Sequence, residues 1–170
     1  MKNLKHGQGT WRGVSQDSYS GHWVDDKPDG QGTYCYPDGS KYEGTFLNGQ
    51  KHGRGIETFK NGDQYRGNFA DGIQNGQGKF TWSDNSQYVG EFRNNQKHGK
   101  GKWRKDYTDP QSDSYVGSYV ADKKQGEGIY EWKSGNSYRG GFVNDLKQGY
   151  GEMRWREEGS RFEGDWHQDE

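Results

Sequence analysis

The stretch Lys41 to Asp63, KYEGTFLNGQKHGRGIETFKNGD, is the unit from which the whole chain is built. Copies of its Gly-x-Gly pair recur every 23 residues, with one spacing of 27. The first glycines of these pairs are Gly7, Gly30, Gly53, Gly76, Gly99, Gly126 and Gly149. Since a period of about 20 to 50 residues is typical of solenoids, propellers and arrays, we predict a repeat protein.

Each unit contains two predicted strands. In the first, Tyr42-x-Gly44-x-Phe46 places two rings and a glycine on one face, because side chains alternate across an extended chain. The same alternation continues from Gly53 to Phe59 in the second. The links are short and carry Asn-Gly or Pro-Asp-Gly turn signals, so neighbouring strands are expected to be antiparallel. We therefore predict an all-β fold, an elongated single-layer twisted antiparallel β-meander.

The repeats divide the chain into one array, with a half unit at each end. The N-terminal half unit contains a second strand without its partner, and the C-terminal half unit contains a first strand. The predicted boundaries are 1–17 for the N-terminal half unit, 18–40, 41–63, 64–86, 87–113, 114–136 and 137–160 for the repeats, and 161–170 for the C-terminal half unit. The segment 104–113 is predicted to be an extended loop, because it is longer than its counterparts and contains Pro110.

The composition indicates order that comes from the repeat. Aromatic residues make up 15% of the chain and the net charge is -1, whereas disordered segments are depleted in aromatics and carry a high net charge. Glycine recurs between the rings, so a ring on one strand can lie across the glycine of the next. Nothing in the sequence predicts a helix or a second sheet to cover the aromatic face. A contiguous exposed apolar patch usually marks a partner site.

The segment YCYPDGSKYEGTFLNGQKHGRG, Tyr34 to Gly55, resembles the MORN (membrane occupation and recognition nexus) repeat. The resemblance extends over essentially the whole chain and departs from the pattern at Glu57, at Lys105 and in the loop 104–113. It implies stacked MORN hairpins with a concave aromatic groove that can bind a partner, sometimes a helix. Similar proteins include radial spoke head components of cilia, cytoskeletal scaffolds of protists, junctophilins and plant phosphoinositide kinases.

We therefore predict a non-catalytic scaffold or adaptor that holds a protein segment, such as a helix, in a ciliary or cytoskeletal assembly. The predicted groove is formed by Tyr42, Phe46, Phe59, Tyr65, Phe69, Phe80, Trp82, Tyr88, Phe92, Trp103, Tyr115, Tyr119, Tyr130 and Trp132. Self-association through the groove or the sheet edges is a further prediction.

The alternative is a peripheral membrane module that binds acidic phospholipids. The only basic cluster contains Lys97, Lys100, Lys102, Arg104 and Lys105, and three of these residues share the polar face of one predicted strand. A solvated strand face explains the same pattern, and the near-neutral net charge argues against membrane attraction. Nucleic acid is disfavoured as a partner for the same reason.

The sequence predicts no catalytic, metal or phosphate-binding site. His6, His52 and His98 recur because each precedes a Gly-x-Gly pair, and copies about 10 Å apart cannot share a zinc ion. The Gly-x-Gly pairs are not followed by the Gly-Lys-Ser/Thr of a phosphate loop. We expect no enzyme activity, no metal and no cofactor. With one cysteine, Cys35, and no 18-residue apolar run or signal peptide, we expect a cytoplasmic protein associated with the cytoskeleton or a cilium.

Overall fold

The chain forms strands and turns throughout the part that the structure describes, residues 4–170 of a computed structural model. Those residues contain no helix. The strands are β1 Gly7–Arg12, β2 Ser18–Val24, β3 Lys27–Cys35, β4 Lys41–Leu47, β5 Gln50–Thr58, β6 Gln64–Ala70, β7 Ile73–Thr81, β8 Gln87–Arg93, β9 Gln96–Arg104, β10 Ser114–Val120, β11 Lys123–Glu131, β12 Ser137–Val143, β13 Leu146–Trp155 and β14 Ser160–Trp166. Residues 1–3 of the predicted N-terminal half unit lie outside the described part.

The strands follow one another in chain order, which confirms the predicted all-β meander. They fall into two compact units, one up to Ser83 with β1 to β7 and one from Asp84 with β8 to β14. Within each unit every strand is antiparallel to its neighbours. In the first unit, for example, Tyr42 lies opposite Tyr34 of β3 and Glu57 of β5. Rings that recur in the sequence are therefore brought side by side across the strands.

The links have the turn chemistry that the sequence predicts. Asn48 and Gly49 between β4 and β5 both have positive φ, 50° and 87°. A two-residue hairpin turn whose twist matches that of the strands requires this backbone. In the turn after Tyr36, the Gly39 amide donates to the Tyr36 carbonyl at 3.0 Å, and Asp38 accepts from the Ser40 amide at 2.9 Å. In both kinds of link the turn is determined by residues within the turn itself.

The second strands contain an irregularity that simple alternation does not predict. The pairing of β4 with β5 shifts register between Gly44 and Thr45, and Gly53 on the opposite strand has a φ of +59°. This backbone conformation favours glycine, because a Cβ atom makes it costly for other residues. The same shift recurs in the other five complete hairpins, so the first glycine of their Gly-x-Gly pairs is a bulge residue and the second is a regular strand residue.

Candidate functional site

The first strand of every hairpin contributes two buried rings. Six tyrosines at the Tyr42 position are fully buried: Tyr19, Tyr42, Tyr65, Tyr88, Tyr115 and Tyr138. The ring four residues later is at most 8% exposed in each first strand: Trp23, Phe46, Phe69, Phe92, Tyr119, Phe142 and Trp166. The Tyr42 ring is 5.0 Å from both Phe46 and Phe69, edge to face in each case. Because edge-to-face contacts of this kind are favourable, the ring row is the core of each unit.

Each buried tyrosine lies over a pair of glycines on adjacent strands. Gly44 and Gly55 are opposite each other, and a Cβ atom at Gly44 would lie 2.6 Å from the Gly55 Cα and 2.6 Å from the Tyr42 hydroxyl oxygen. A Cβ atom at Gly55 would overlap the Tyr42 ring itself. The predicted packing of rings across glycines is therefore confirmed, and each glycine pair is the floor of one ring site.

The tyrosine hydroxyl groups are satisfied inside this core. The Tyr42 hydroxyl donates to the Thr45 carbonyl at 2.9 Å, three residues along the same chain segment. The same bond recurs from Tyr19, Tyr65, Tyr88, Tyr115 and Tyr138. Burial raises the pKa of Tyr65 to about 12, with the carboxylate of Glu57 adding to the effect. A buried phenol without a partner would be destabilising, so this bond allows tyrosine at the position.

Lysine side chains cover the open side of the ring row. The Lys51 Nζ lies 5.7 Å from the Tyr42 ring centroid and 5.3 Å from that of Phe69. Three more lysines at the same repeat position each lie over two rings: Lys97, Lys124 and Lys147. Burial lowers the pKa of the Lys97 ammonium. The core is thus closed by aliphatic stems and cations instead of by a second protein layer.

The rings of the second strands are only half-buried. Three pairs are in contact at 4.6 Å between centroids: Tyr34 with Tyr36, Phe80 with Trp82, and Tyr130 with Trp132. In the first unit Phe59 also stacks on Phe80 at 5.7 Å. We call the half-exposed rings of this unit the ring strip; its members are Tyr34, Tyr36, Phe59, Phe80 and Trp82.

An open concavity of about 620 Å³ adjoins the ring strip. Phe59 and Phe80 provide its apolar wall, and Asp38, Asp63 and Lys60 are among the polar residues that line it. Tyr34 is held at the other end of the strip by a hydrogen bond from its hydroxyl to Asp17 at 2.8 Å. The strip therefore combines accessible rings with a polar border, as binding surfaces commonly do.

The structure divides the predicted groove residues between the core and the surface. Eight of them are buried: Tyr42, Phe46, Tyr65, Phe69, Tyr88, Phe92, Tyr115 and Tyr119. Six remain half-exposed: Phe59, Phe80, Trp82, Trp103, Tyr130 and Trp132. Contact with a partner stays a prediction for the whole set. Only the second group offers ring surface without rearrangement of the core.

Glu57 interrupts the row of second-strand rings. It lies opposite both Tyr42 and Tyr65, is 9% exposed, and binds the Lys51 ammonium at 2.5 Å. Burial, with the negative charge of Glu57, raises the pKa of Tyr36 to about 12. The departure from the aromatic pattern is therefore a paired carboxylate within the ring face.

The predicted basic cluster does not lie on one surface. Lys97 covers the rings of Tyr88 and Tyr119, whereas Lys100 donates to the Ser118 hydroxyl at 2.7 Å. Arg104 donates to the Asp109 carbonyl at 3.2 Å. Lys100, Lys102 and Arg104 alternate along β9 on the face opposite Trp103, and Lys105 follows the end of the strand. Phospholipid contact stays a prediction, and Lys97 belongs to the core.

The long link between β9 and β10 is a loop, as predicted, but it begins after Arg104, which is the last residue of β9. Asp106 accepts hydrogen bonds from Thr108, and the Lys105 amide donates to the Asp113 carbonyl at 2.8 Å. The Lys133 ammonium binds Asp109 at 2.8 Å and ties the loop to a neighbouring turn. The loop is therefore held in a defined conformation by its own hydrogen bonds and by this ion pair.

Two structural roles are absent from the sequence prediction. Tyr34 and Tyr36 belong to the ring strip, although the predicted groove omits them. The covering lysines were visible in the sequence as a lysine two residues before the bulge glycine: Lys51 before Gly53, and likewise Lys97, Lys124 and Lys147. A cation in register with aromatic residues is the signal that would have identified them.

The described part of the chain contains no group of three or more His, Cys, Asp or Glu residues that could hold a metal ion. None of its elements is a helix long and apolar enough to cross a membrane. The carbonyls of His52 and His98 accept hydrogen bonds from the hydroxyl groups of Tyr42 and Tyr88. Their backbone atoms are thus part of the tyrosine sites.

A model of the MORN repeat matches the chain in seven segments, residues 1–18, 19–41, 42–64, 65–87, 88–106, 115–137 and 138–159. No curated protein matches the sequence. Among solved structures, the chain is similar to the TCP domain of SAS-4 (dCPAP) from Drosophila melanogaster, solved in complex with a proline-rich motif of Ana2 (dSTIL). The two are 11% identical with a TM-score of 0.44, and the match covers 94% of this chain and 90% of that one.

Proposed function

The chain belongs to the MORN repeat family, whose repeats form binding modules, and from this premise we propose that it is a non-catalytic scaffold for a protein partner. The partner contributes a segment, helical or extended, that packs on the ring strip. The assembly is cytoskeletal or ciliary.

The observation that carries this proposal is the half-burial of the ring strip. Tyr34 and Tyr36 lie in contact, as do Phe80 and Trp82, and each pair leaves part of its ring surface open to solvent. Aromatic residues are enriched among those that contribute most to binding, because they bury a large area and lose little conformational entropy. Their neighbours on the same face are rigid core tyrosines, so the strip is held in place before a partner arrives.

The ring strip also has a reason to remain open. In the first unit Lys51 lies over the core rings Tyr42 and Phe69, whereas the half-exposed rings of Phe59 and Phe80 face the open concavity. A partner segment that brings apolar side chains to Phe59 and Phe80 would replace water there, and its polar groups would meet Asp38 and Asp63 at the border of the concavity. The expected occupant is an amphipathic segment with apolar anchors.

The test is affinity capture from the native cell, followed by mass spectrometry, with the wild type and a Phe59→Asp variant. A carboxylate on the ring strip is expected to remove the partner, because it would be buried without a counter-charge. Leu47→Asp is the matched control, since Leu47 is 45% exposed and points to the opposite face of its hairpin. Phe69 is unsuitable for this purpose, because it is 2% exposed and a charge there would damage the fold.

Loss of the same partners in Phe59→Asp and their retention in Leu47→Asp would support the scaffold, and the identity of those partners would test the cytoskeletal assignment. Equal capture by both variants would contradict it. Each variant must first show the unfolding midpoint and far-ultraviolet circular dichroism of a folded chain.

The second candidate function is phospholipid binding through the exposed face of β9. The observation that favours it is the alternation of Lys100, Lys102 and Arg104 on one strand face. Replacement of all three by glutamine should then abolish co-sedimentation with anionic vesicles, and added salt should weaken it. Absence of co-sedimentation by the wild type would remove this candidate.

A further inference from the structure

The strand β1 has the backbone of a hairpin's second strand, although no first strand of that hairpin precedes it in the described residues. Gly7 has a φ of +76°, in line with the bulge glycines Gly53 at +59° and Gly149 at +74°. On its other side β1 pairs normally with β2, with Gly9 opposite Gly21 and Trp11 opposite Tyr19. Among residues 4–170, the outer edge of β1 therefore presents a glycine already in the bulge conformation and a row of backbone groups with no partner strand.

The tyrosine site on β1 has a glycine but no ring over it. At the corresponding interior position, a Cβ atom on Gly55 would overlap Tyr42, whereas one on Gly9 would meet only Trp23 among the described residues, at 3.4 Å. The ring contacts also show that one ring is missing at this position. Phe46 lies 5.0 Å from both Tyr19 and Tyr42, but Trp23 has a single such neighbour, Tyr19, at 5.0 Å. The first unit thus lacks one ring at its outer edge.

The strand β14 has the complementary feature. Phe162 stands at the tyrosine position of a first strand and is 47% exposed, whereas the six tyrosines at that position have no exposed surface. Its ring lies near Gly164, where a Cβ atom would be 2.8 Å from the Phe162 Cζ. Phe162 also contacts Trp166 at 5.5 Å, as Tyr42 contacts Phe46. It therefore has one of its two glycines and lacks the second.

We propose that the chain binds a second copy of itself head to tail, with β14 of one copy paired antiparallel to β1 of the next. The register follows from the interior hairpin in which Tyr42 opposes Glu57 and Gly44 opposes Gly55. Phe162 then opposes Trp11, and Gly164 opposes Gly9. The Phe162 ring fills the vacant site over Gly9 and becomes the second neighbour of Trp23.

The lysine that would cover this new site is already in place. Lys5 lies over the Trp23 ring, with its Nζ 5.0 Å from the centroid. The interior lysine Lys51 covers both the ring of the following first strand, Phe69, and that of the preceding one, Tyr42. In the paired copies Lys5 would cover Trp23 and Phe162 in the same way. The contact needs no change in the position of Lys5 relative to Trp23.

The charges that meet in this register are largely compatible. His6 would lie opposite Asp165, as His98 lies opposite Glu91 in the interior of the second unit. Arg12 would lie opposite Arg161 at the far end of the strands, where Arg161 is already 3.8 Å from Glu152. Exposed like charges at a strand end cost little compared with a buried ring and a new row of backbone hydrogen bonds.

The two surfaces in this contact are different, so the association is heterologous and joins the copies head to tail. Each added copy presents a new free β14 and the stack grows with concentration. The contact uses neither the ring strip nor β9, so this proposal does not depend on the proposed scaffold function.

The experiment is sedimentation velocity on the 170-residue chain between about 1 μM and about 1 mM, a range that covers weak edge-to-edge association. The weight-average mass of the wild type should rise continuously with concentration. Phe162→Asp should abolish the rise by placing a charge on the β14 surface. Gly9→Val should also abolish it, because its side chain occupies the vacant ring site. Val14→Asp is the control, since Val14 is fully exposed just beyond β1.

An equal mixture of the two blocked variants gives the decisive result. Phe162→Asp keeps a normal β1 and Gly9→Val keeps a normal β14, so the mixture should form a dimer of one copy each and nothing larger. A wild type that stays monomeric throughout the range, variants that still associate, or a mixture that remains monomeric would each overturn the proposal.

A disulfide fixes the register. Thr10 and Glu163 should lie opposite each other, so Thr10→Cys with Glu163→Cys, in a Cys35→Ser background, should oxidise to covalent dimers and longer chains. Oxidation within a single copy, or no oxidation, would contradict the predicted pairing. Phe59→Asp should leave self-association unchanged, and the two edge variants should leave partner capture unchanged, so the two proposals fail separately.

Discussion

Tyr65 and Phe80 lie directly opposite each other on neighbouring strands, with ring centroids 6.4 Å apart, yet they differ in solvent exposure. Tyr65 carries a hydroxyl group and is completely buried, while the wholly apolar Phe80 is half-exposed. Position in the repeat decides this difference. Tyr65 lies over Gly67 and Gly78, packs edge to face with Phe69 at 5.1 Å and donates to the Asn68 carbonyl. Side-chain hydrophobicity is therefore a poor guide to the core of this fold, and the glycine pairs are a good one.

The largest expected effect separates these two rings directly. Tyr65→Ala should lower the free energy of unfolding by about 3 to 5 kcal/mol, because it empties a fully packed ring site. Phe80→Ala should cost less, about 1 to 2 kcal/mol, since part of that ring is already in water. Urea unfolding followed by tryptophan fluorescence measures both. Equal losses would show that the two ring rows contribute alike to stability.

The glycines provide the next test. Gly55→Ala should cost about 1 to 3 kcal/mol, because its Cβ atom overlaps the Tyr42 ring. Gly9→Ala, at the same repeat position in β1, should change stability by less than about 0.5 kcal/mol, since Trp23 is the one residue of the described part near it, at an ordinary contact distance. Thermal or urea unfolding of the two variants at one low concentration makes the comparison. A large loss for Gly9→Ala would mean that backbone freedom, rather than ring contact, requires glycine there.

A smaller effect is expected from the lysines that cover the core. Lys97→Met keeps the aliphatic cover over Tyr88 and Tyr119 but removes the cation, so it should cost about 0.5 to 1 kcal/mol. Lys100→Met on the opposite strand face is the matched control and should be nearly neutral. Chemical denaturation resolves a difference of this size when midpoints are compared. Equal stabilities of the two variants would show that Lys97 stabilises the core through its aliphatic stem and not through its charge.

The last prediction concerns the ionisation of the buried tyrosines, which affects stability only at alkaline pH. Burial raises the pKa of Tyr115 and of Tyr138 to about 12, and that of Tyr65 likewise, from an ordinary value of about 10. The neutral phenols therefore stabilise the fold fully below about pH 10, and this contribution is lost as the pH rises to about 12. Absorbance at the tyrosinate band during a pH titration should show one group of residues ionising late. Uniform ionisation near the ordinary value in the folded protein would contradict the burial of this row.

The sequence was sufficient for the strands, turns and hairpin order, because each of these is determined within one repeat. It also placed the rings and glycines on the same face. It could not divide the rings into buried and half-exposed rows. That division depends on which ring reaches a glycine pair across the strands, and on lysine stems that arrive from a different position in the repeat.

Glu57 illustrates the same limit. In the sequence it is a missing aromatic residue, and only the packing reveals that Lys51 pairs with it inside the ring face. The candidate partner site was predicted as fourteen rings of one kind, because periodicity treats equivalent positions alike. Exposure is a property of neighbours, and it separates Phe59 and Phe80 from Tyr65 and Phe69.

The long loop between β9 and β10 has a consequence for how such a chain can change over time. One spacing between Gly-x-Gly pairs is 27 residues where the others are 23, yet Gly101 still opposes Gly117 just as Gly55 opposes Gly67. The rings and glycines keep the strands aligned across this link, so its length is not fixed by the pairing of β9 with β10. A gene for this protein can therefore acquire or lose codons at such a link without shifting the frame of any repeat. For an engineer, the turn near Pro110 is a natural place to insert a foreign epitope.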